Sequence, residues 1–160
     1  MAGDYQLQPI GVIRTPWRQP RGTPIQPPMA EGAEGRVEVD AGLVDGLADL
    51  DGFDRTWLVY WFDRAPDPRL RVAPFMDNVQ RGLFAMRAPC RPNRIGLSPV
   101  RLLRVEGATL HVGDVDMLDG SPLLDIKPYA STFDCFPGAR AGWLDQSEPD
   151  RPVRGDDRFE

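Results

Sequence analysis

The sequence predicts a mainly β domain, either a barrel or a sandwich, for three reasons. Its apolar segments are short, and several of them alternate between hydrophobic and polar residues as strands do. Glycine and proline, with 16 and 17 of the 160 residues, separate these segments. Only residues 41–50 have the spacing of a helix. This pattern is typical of a small β fold with tight turns.

The N-terminal third is predicted to hold two strands and a long loop between them. Residues 7–15 (LQPIGVIRT) alternate well enough for a strand, which ends at Pro16. Five prolines between residues 16 and 28 exclude sheet pairing, so this segment is predicted to be an extended surface loop. Such a loop is either a linker or a binding loop. Residues 35–39 (GRVEV) are predicted to form a short edge or surface strand.

The predicted helix is short and amphipathic. It covers residues 41–50, where Leu43, Leu47 and Leu50 recur at helical spacing. Residues 56–62 (TWLVYWF) follow and are almost continuously apolar. A run of this length and composition predicts a strand that is covered on both faces.

The second half of the chain is predicted to contain further short strands and then a tail. We expect a loop at 63–74, a short strand at 82–86 and an irregular turn at 87–93. A hairpin of strands 95–105 and 108–112 follows, and its second strand is expected to continue at 114–118. A turn at 119–122 and a last strand at 123–126 complete the domain. Residues 133–160 are rich in Asp, Arg, Gly and Pro with isolated aromatic residues. We expect an extended tail that packs by these aromatics on the body or on a second subunit. The predicted units are therefore a domain at 1–132 and a tail at 133–160.

Composition excludes several classes of protein. No apolar run approaches the roughly 20 residues of a membrane span, and the N-terminus lacks the layout of a signal peptide, so we expect a cytoplasmic protein without a membrane partner. Cys90 and Cys135 stand far apart and form no metal-binding pattern with His111, so we expect free thiols and no metal. The absence of any Gly-x-Gly excludes the usual dinucleotide-binding loop.

Charge singles out residues 81–129. The chain has a formal net charge of −5, yet residues 78–105 contain no acidic residue and six arginines: Arg81, Arg87, Arg91, Arg94, Arg101 and Arg104. Aspartates follow, and then Lys127, the only lysine. Prolines beside arginines fix the backbone and so preorganise guanidinium groups for a carboxylate or a phosphate. The pattern indicates an anion site, although a solvated arginine cluster beside a turn would look the same.

Four segments resemble the TsaA/TrmO (YaeB-like) family in the same order along the chain. They are residues 10–16 (IGVIRTP), 52–62 (GFDRTWLVYWF), 82–97 (GLFAMRAPCRPNRIGL) and 116–129 (DMLDGSPLLDIKPY). The resemblance implies a single-sheeted β-barrel that binds S-adenosylmethionine and works as a homodimer. It also implies methylation of N6 of threonylcarbamoyladenosine at position 37 of tRNA.

The resemblance further implies a set of site residues. The cofactor contacts would be Pro27, Pro28, Met29, Asp63, Arg64, Arg87, Leu97, Val115, Asp116, Met117 and Leu118. Arg87 could pair with the methionine carboxylate, and Asp116 could hold ribose hydroxyls or favour the sulfonium. A hydrogen-bond acceptor for the proton of the nucleophilic nitrogen would assist the reaction, and the catalytic candidates are Asp119, Asp125 and Tyr129. An ordinary structural role in a turn or at a strand end is the alternative for each of them. The residues expected to contact tRNA phosphate or the threonyl carboxylate are Arg91, Asn93, Arg94 and Lys127, and the alternative for Lys127 is an ion pair with Asp125 or Asp119.

Two alternative functions stay open on the sequence alone. The same cofactor and fold could act on a small molecule or another acceptor, because the chain is short and acidic. It could also be a non-catalytic S-adenosylmethionine-binding protein. Binding of tRNA that weakens as salt rises would favour the tRNA enzyme, because phosphate contacts release counterions.

Overall fold

A computed structural model describes residues 3–147 and 153–159 of the chain, and these residues form one closed barrel with additional segments on it. In chain order the strands are β1 (Gly11–Arg14), β2 (Glu34–Val39), β3 (Arg55–Trp61), β4 (Arg71–Val72), β5 (Arg81–Gly82), β6 (Ile95–Glu106), β7 (Thr109–Gly113) and β8 (Ser121–Pro128). The barrel has the strand order β1-β2-β7-β6-β3-β8, and β4 pairs only with β5. The predicted mainly β fold with a single-sheeted barrel is confirmed.

The interior of the barrel is filled by alternate residues of its strands. On β3, Thr56, Leu58 and Tyr60 are buried, whereas Trp57 and the other residues between them are only partly covered. The same rule buries Val37 on β2, and burying a side chain of this kind contributes about 1.5–3 kcal/mol. The prediction that the strand at residues 56–62 is covered on both faces was therefore only half correct. The outer face of a single closed sheet has no second layer, so the outward side chains of β3 are only partly covered.

Barrel closure corrects the prediction for residues 35–39. These residues lie in β2, which is hydrogen-bonded to β1 on one side and to β7 on the other. The strand is therefore not at an edge. Closing a sheet on itself removes its edges, and a short alternating sequence gives no sign of this.

The predicted helix is not an α-helix. Residues Ala41–Leu47 form a 3₁₀ helix, and a further 3₁₀ turn covers Leu50–Gly52. Leu47 and Leu50 are buried as expected, but Leu43 is 45% exposed. Asp49 between the two turns is left-handed, with φ of 65°, which interrupts regular helix formation.

One other predicted strand is a turn, another is an irregular loop, and part of one predicted loop is a strand. The prediction of a strand at 82–86 was wrong beyond Gly82, because Leu83–Ala85 is a 3₁₀ turn. Residues 71–72 of the predicted loop pair with β5 as β4. Residues 114–118 do not continue β7, since Asp114 takes a φ of 62° and the chain leaves the sheet.

The hairpin around Glu106-Gly107 is confirmed, and Gly107 has the positive φ of 60° that this turn requires. The last strand is longer than predicted. β8 starts at Ser121, within the predicted turn, and runs to Pro128.

Part of the tail packs on the barrel through aromatic residues. After the one-turn helix α1 (Ser131–Asp134), the chain forms 3₁₀ turns at Gly142–Gln146 and Asp157–Phe159. Phe159 is buried and lies edge-on to Phe75 with ring centroids 5.0 Å apart. Residues 148–152 and 160 of the predicted tail lie outside the described part of the chain. The division at residue 132 stays a prediction.

Within residues 3–147 and 153–159, none of the helices has the length and apolar character to cross a membrane. The same residues contain no group of three or more His, Cys, Asp or Glu side chains that could hold a metal ion. Cys90 and Cys135 are free thiols.

Candidate functional site

A cleft of about 850 Å³ opens where one end of the barrel meets the proline loop, the segment after β5 and the tail. Its lining is mainly apolar and includes a small number of charged side chains. This composition and size are typical of sites for small organic ligands. The residues that contribute charge are Asp63, Arg64, Arg87, Arg91 and Asp116.

Strand register brings three polar residues together at the barrel side of the cleft. β3 and β6 pair so that Tyr60 lies opposite Gly96, and Leu58 lies opposite Ser98. A side chain at position 96 would clash with Tyr60, because an added Cβ would lie 2.4 Å from its ring. Glycine at this position therefore lets the ring lie across β6. Asp116 reaches the same place from the loop after β7.

These three side chains form the Tyr60–Ser98–Asp116 network. Ser98 Oγ donates to Asp116 Oδ1 at 2.7 Å, and Tyr60 Oη lies 3.2 Å from Ser98 Oγ. Since the single hydroxyl proton of Ser98 is used on Asp116, Tyr60 must donate to Ser98. Tyr60 and Asp116 both line the cleft, whereas Ser98 is buried behind them.

Burial dominates the ionisation of this network. It raises the pKa of Asp116 to about 7, although the Ser98 hydrogen bond and the nearby Arg87 charge act in the opposite direction. Burial, together with the Asp116 charge, also raises the pKa of Tyr60. The phenol therefore stays protonated and remains a donor, while Asp116 can gain or lose a proton near neutral pH.

Three arginines provide positive charge along the cleft. Arg87 Nη1 donates to Gln26 Oε1 at 2.7 Å, which ties the segment after β5 to the proline loop. Arg64 Nη2 donates to the backbone oxygen of Asp119 at 2.7 Å. Arg91 donates to the backbone oxygen of Met86 at 2.9 Å. Arg91 also donates to the backbone oxygens of Leu83 and Ala88, and Arg64 Nε donates to Asp63 Oδ1 at 3.4 Å. Each guanidinium is thus oriented by protein acceptors and has further N–H groups for an anion.

The other side of the cleft is an aromatic wall, formed by Phe75, Phe84, Trp143 and Phe159. Trp143 comes from the tail and is held by a hydrogen bond of 2.8 Å from Nε1 to the backbone oxygen of Ala85. Phe84 is 77% exposed and carries the Arg91 guanidinium 5.6 Å from its ring centroid. Flat apolar groups, including nucleobases, stack on surfaces of this kind.

The structure places seven of the cofactor residues expected from the resemblance in the lining of this cleft: Asp63, Arg64, Arg87, Leu97, Asp116, Met117 and Leu118. Pro27, Pro28 and Met29 form a 3₁₀ turn beside the cleft, and the neighbouring Pro24, Ile25 and Gln26 provide the lining. Val115 is buried in the barrel core, and its backbone oxygen accepts a hydrogen bond from Trp17 Nε1.

The three catalytic candidates lie outside the cleft lining. Asp119 Oδ1 accepts from the Thr15 amide and its Oδ2 from Arg18 Nη1, so this carboxylate fastens a turn to the end of β1. Asp125 accepts from the Ile126 amide and pairs with Lys127 at 2.8 Å.

Tyr129 packs on Trp57, with ring centroids 5.7 Å apart. Of the four expected substrate contacts, Arg91 lines the cleft, whereas Asn93, Arg94 and Lys127 do not. The Arg94 guanidinium forms an ion pair with Asp67, with Nη2 3.7 Å from Oδ1.

Sequence reasoning missed Tyr60, Ser98, Gln26 and the aromatic wall. A signal for two of them exists in the strand pattern. Tyr60 continues the inward set of Thr56 and Leu58 on β3, and Ser98 precedes the inward Val100 by two residues on β6. A polar atom at a core-facing position requires a partner, which points to a buried network.

Comparison with known proteins supports the same family and fold. The family model of the tRNA-methyltransferase O N-terminal domain matches residues 12–135. A probable S-adenosyl-L-methionine-binding protein of Pyrococcus abyssi is 45% identical over 153 residues, which cover 95% of this chain and 83% of that protein. The tRNA (adenine(37)-N6)-methyltransferase of Escherichia coli is 33% identical over 155 residues, covering 91% of this chain and 66% of the enzyme.

A crystal structure of TrmO from Pseudomonas aeruginosa superposes with a TM-score of 0.79 at 36% identity. The superposition covers 92% of this chain and 66% of the TrmO chain. The chain thus spans about two thirds of the length of the two bacterial enzymes.

Proposed function

Since the chain belongs to the family of the tRNA-methyltransferase O N-terminal domain, we propose that it is an S-adenosylmethionine-dependent methyltransferase acting on N6 of adenosine 37 in tRNA. The observation that carries this proposal is the cleft, where charges of both signs meet an aromatic wall. More specifically, we propose that the acceptor is threonylcarbamoyladenosine.

The residues of the cleft fit the cofactor. S-adenosylmethionine has a carboxylate, an ammonium group, a sulfonium and an adenosine. Arg87 has guanidinium N–H groups for the carboxylate, and Asp63 offers a counter-charge to the ammonium. Leu97 and Met117 provide apolar surface for the adenine. When bound, the cofactor supplies a methyl group that is activated for displacement by its positive sulfur.

The protein would contribute mainly by positioning and by excluding water. Displacement at a methyl carbon requires the acceptor nitrogen, the carbon and the sulfur in line, and fixed geometry can account for about 7–11 kcal/mol of a barrier. The aromatic wall is suited to stack the acceptor adenine after it has left the anticodon-loop stack, as enzymes that modify bases require. Phe84, being exposed, is placed to make the first contact.

The arginine at the cleft mouth is suited to the modified base. Arg91 lies over Phe84 and lines the cleft, so a base stacked on Phe84 would bring the threonyl carboxylate close to a guanidinium. Arg94 and Lys127 lie outside the lining and are better placed for phosphate groups. A chain with a net charge of −5 needs such local positive charge to bind RNA.

We also propose a cytoplasmic homodimer. Phe133 and Phe136 follow the barrel directly and are 77% and 76% exposed. Two exposed aromatic side chains that lie three residues apart offer apolar surface to a second copy of this chain. Sedimentation equilibrium of the purified protein tests the dimer, and a monomer at all concentrations would reject it.

The function is tested by incubation with methyl-labelled S-adenosylmethionine and total tRNA from cells with and without threonylcarbamoyladenosine. We expect label only in the tRNA from cells that contain threonylcarbamoyladenosine. Label in both would reject the modified acceptor, and label in neither would reject the tRNA reaction. In the last case the same assay with metabolite extracts tests a small-molecule acceptor.

A further inference from the structure

We propose that the carboxylate of Asp116 accepts the proton that leaves the acceptor nitrogen during methyl transfer. This inference rests on the proposed function and deepens it, because it names the proton acceptor of that reaction. It also replaces Asp119, Asp125 and Tyr129 as catalytic candidates.

Geometry favours Asp116 over the two other aspartates. Both oxygens of Asp119 accept hydrogen bonds from the protein, and Asp125 is paired with the Lys127 ammonium. Asp116 faces the cleft, and in the described part of the chain its one side-chain partner, Ser98, binds Oδ1. The only other hydrogen bond to the carboxyl group comes from its own backbone amide, so no other residue that the structure describes occupies Oδ2.

The Tyr60–Ser98–Asp116 network fixes the orientation of the carboxyl group. Tyr60 is a permanent donor, which keeps the Ser98 hydroxyl proton directed at Asp116 Oδ1. A proton from the substrate must consequently go to Oδ2. Tyr60 and Ser98 are buried on the paired strands β3 and β6, so the acceptor oxygen is oriented by side chains that the barrel holds in place.

The reaction requires such an acceptor. The nitrogen to be methylated carries a proton and conjugates with a carbonyl group, so its lone pair is a weak nucleophile. As this lone pair bonds to the methyl carbon, the carbon–sulfur bond breaks and its electron pair stays on sulfur, leaving a neutral thioether. The nitrogen proton passes to Oδ2, leaving a neutral tertiary nitrogen and a carboxylic acid.

Charge in the cleft links this proton to the cofactor. The substrates bring together one positive sulfur and one negative carboxylate, and the products carry neither charge. A carboxyl group whose pKa is raised to about 7 by burial is ionised by a neighbouring sulfonium and regains its proton beside a thioether. Arg87 is the charged group that acts on Asp116 directly, and Tyr60 and Ser98 are its polar neighbours. Asp63, Arg64 and Arg91 line the same cleft.

The first test measures this link without turnover. Calorimetric titrations at about pH 6, in two buffers of different ionisation enthalpy, count protons released on binding. We expect S-adenosylmethionine to release close to one proton and S-adenosylhomocysteine to release fewer. Asp116→Asn should abolish the difference, and Asp45→Asn, an exposed aspartate, should keep it. Equal release by wild type and Asp116→Asn would overturn the proposal.

The second test measures methyl transfer to modified tRNA in a single turnover. With the cofactor at saturation, Asp116→Asn should lower the rate by about 10²–10⁴-fold, the usual range for a general base. Cofactor affinity should fall only by the attraction between the carboxylate and the sulfonium that the first test measures. An unchanged rate would overturn only this inference. A rate that recovers once the cofactor is raised to saturation would make Asp116 a cofactor ligand alone and would also overturn it. A wild-type protein that labels no tRNA would overturn the proposed function and this inference together.

Discussion

Ser98 Oγ lies 2.7 Å from Asp116 Oδ1, so a buried hydroxyl of β6 donates to a carboxyl group that lines the cleft. The two residues are 18 positions apart in sequence and come from a strand and a loop. Their contact connects the barrel interior to the site.

Removing the Ser98 hydroxyl should raise the pKa of Asp116 above its value of about 7, because this hydrogen bond favours the ionised form. In Ser98→Ala the acidic limb of the pH–rate profile should therefore move to higher pH. Ser131→Ala, which alters an exposed residue outside the barrel, is the control. A limb that stays in place in Ser98→Ala would show that Asp116 does not control the rate.

Stability should respond to pH through the same carboxyl group. An ordinary aspartate, with a pKa of 3.8, ionises in the unfolded chain, while the half-buried Asp116 of the folded chain remains protonated up to about pH 7. Stability from this source is complete below pH 3.8 and is lost as pH rises to about 7.

Asp116→Asn has no such loss. Urea unfolding measures the free energy of unfolding of the variant and of wild type. The variant's value minus that of wild type should be larger at about pH 8 than at about pH 4. A constant difference at the two pH values would contradict the raised pKa.

Gly96→Ala should disturb the network through Tyr60. The added Cβ would lie 2.4 Å from the Tyr60 ring, so the ring or the strand must move. We expect a loss of about 1–3 kcal/mol in unfolding free energy, the usual effect of overpacking, and a weakened Tyr60–Ser98 contact. Gly82→Ala has no atom within 4 Å of the new Cβ and should change little. Equal effects of the two substitutions would contradict this explanation.

Arg87→Ala should weaken cofactor binding about tenfold or more, because a charge-assisted hydrogen bond contributes roughly 1.5–3 kcal/mol. Calorimetry with S-adenosylmethionine measures the change. Arg36→Ala is a matched control, since Arg36 is exposed on β2 and does not line the cleft. Unchanged affinity in Arg87→Ala would remove Arg87 from the cofactor site.

Local sequence patterns predicted most of the strands. They did not predict features that depend on closure of the whole barrel. Continuous apolar character located β3, and Glu106-Gly107 located the β6–β7 hairpin. That β2 has neighbours on both sides depends on closure of the whole sheet, which no short segment encodes. The left-handed Asp49 ended a helix whose leucine spacing was regular.

The site was predicted less completely than the fold for a similar reason. The resemblance indicated Arg87 and Asp116, which line the cleft, because both belong to continuous motifs. Ser98 could not be assigned, since its role depends on the register of β6 against β3 and on where the loop after β7 returns. Trp143 was expected to pack on the body or on a partner, but only tertiary structure places it in the wall of the cleft.

The burial of Phe159 in the aromatic wall has a practical consequence for handling the protein. Any residues joined after position 160, such as an affinity tag or a fused reporter, begin almost immediately beyond a side chain that lines the cleft. A C-terminal fusion therefore places foreign sequence close to the cleft. Binding and turnover are best measured on protein that was purified with a removable N-terminal tag.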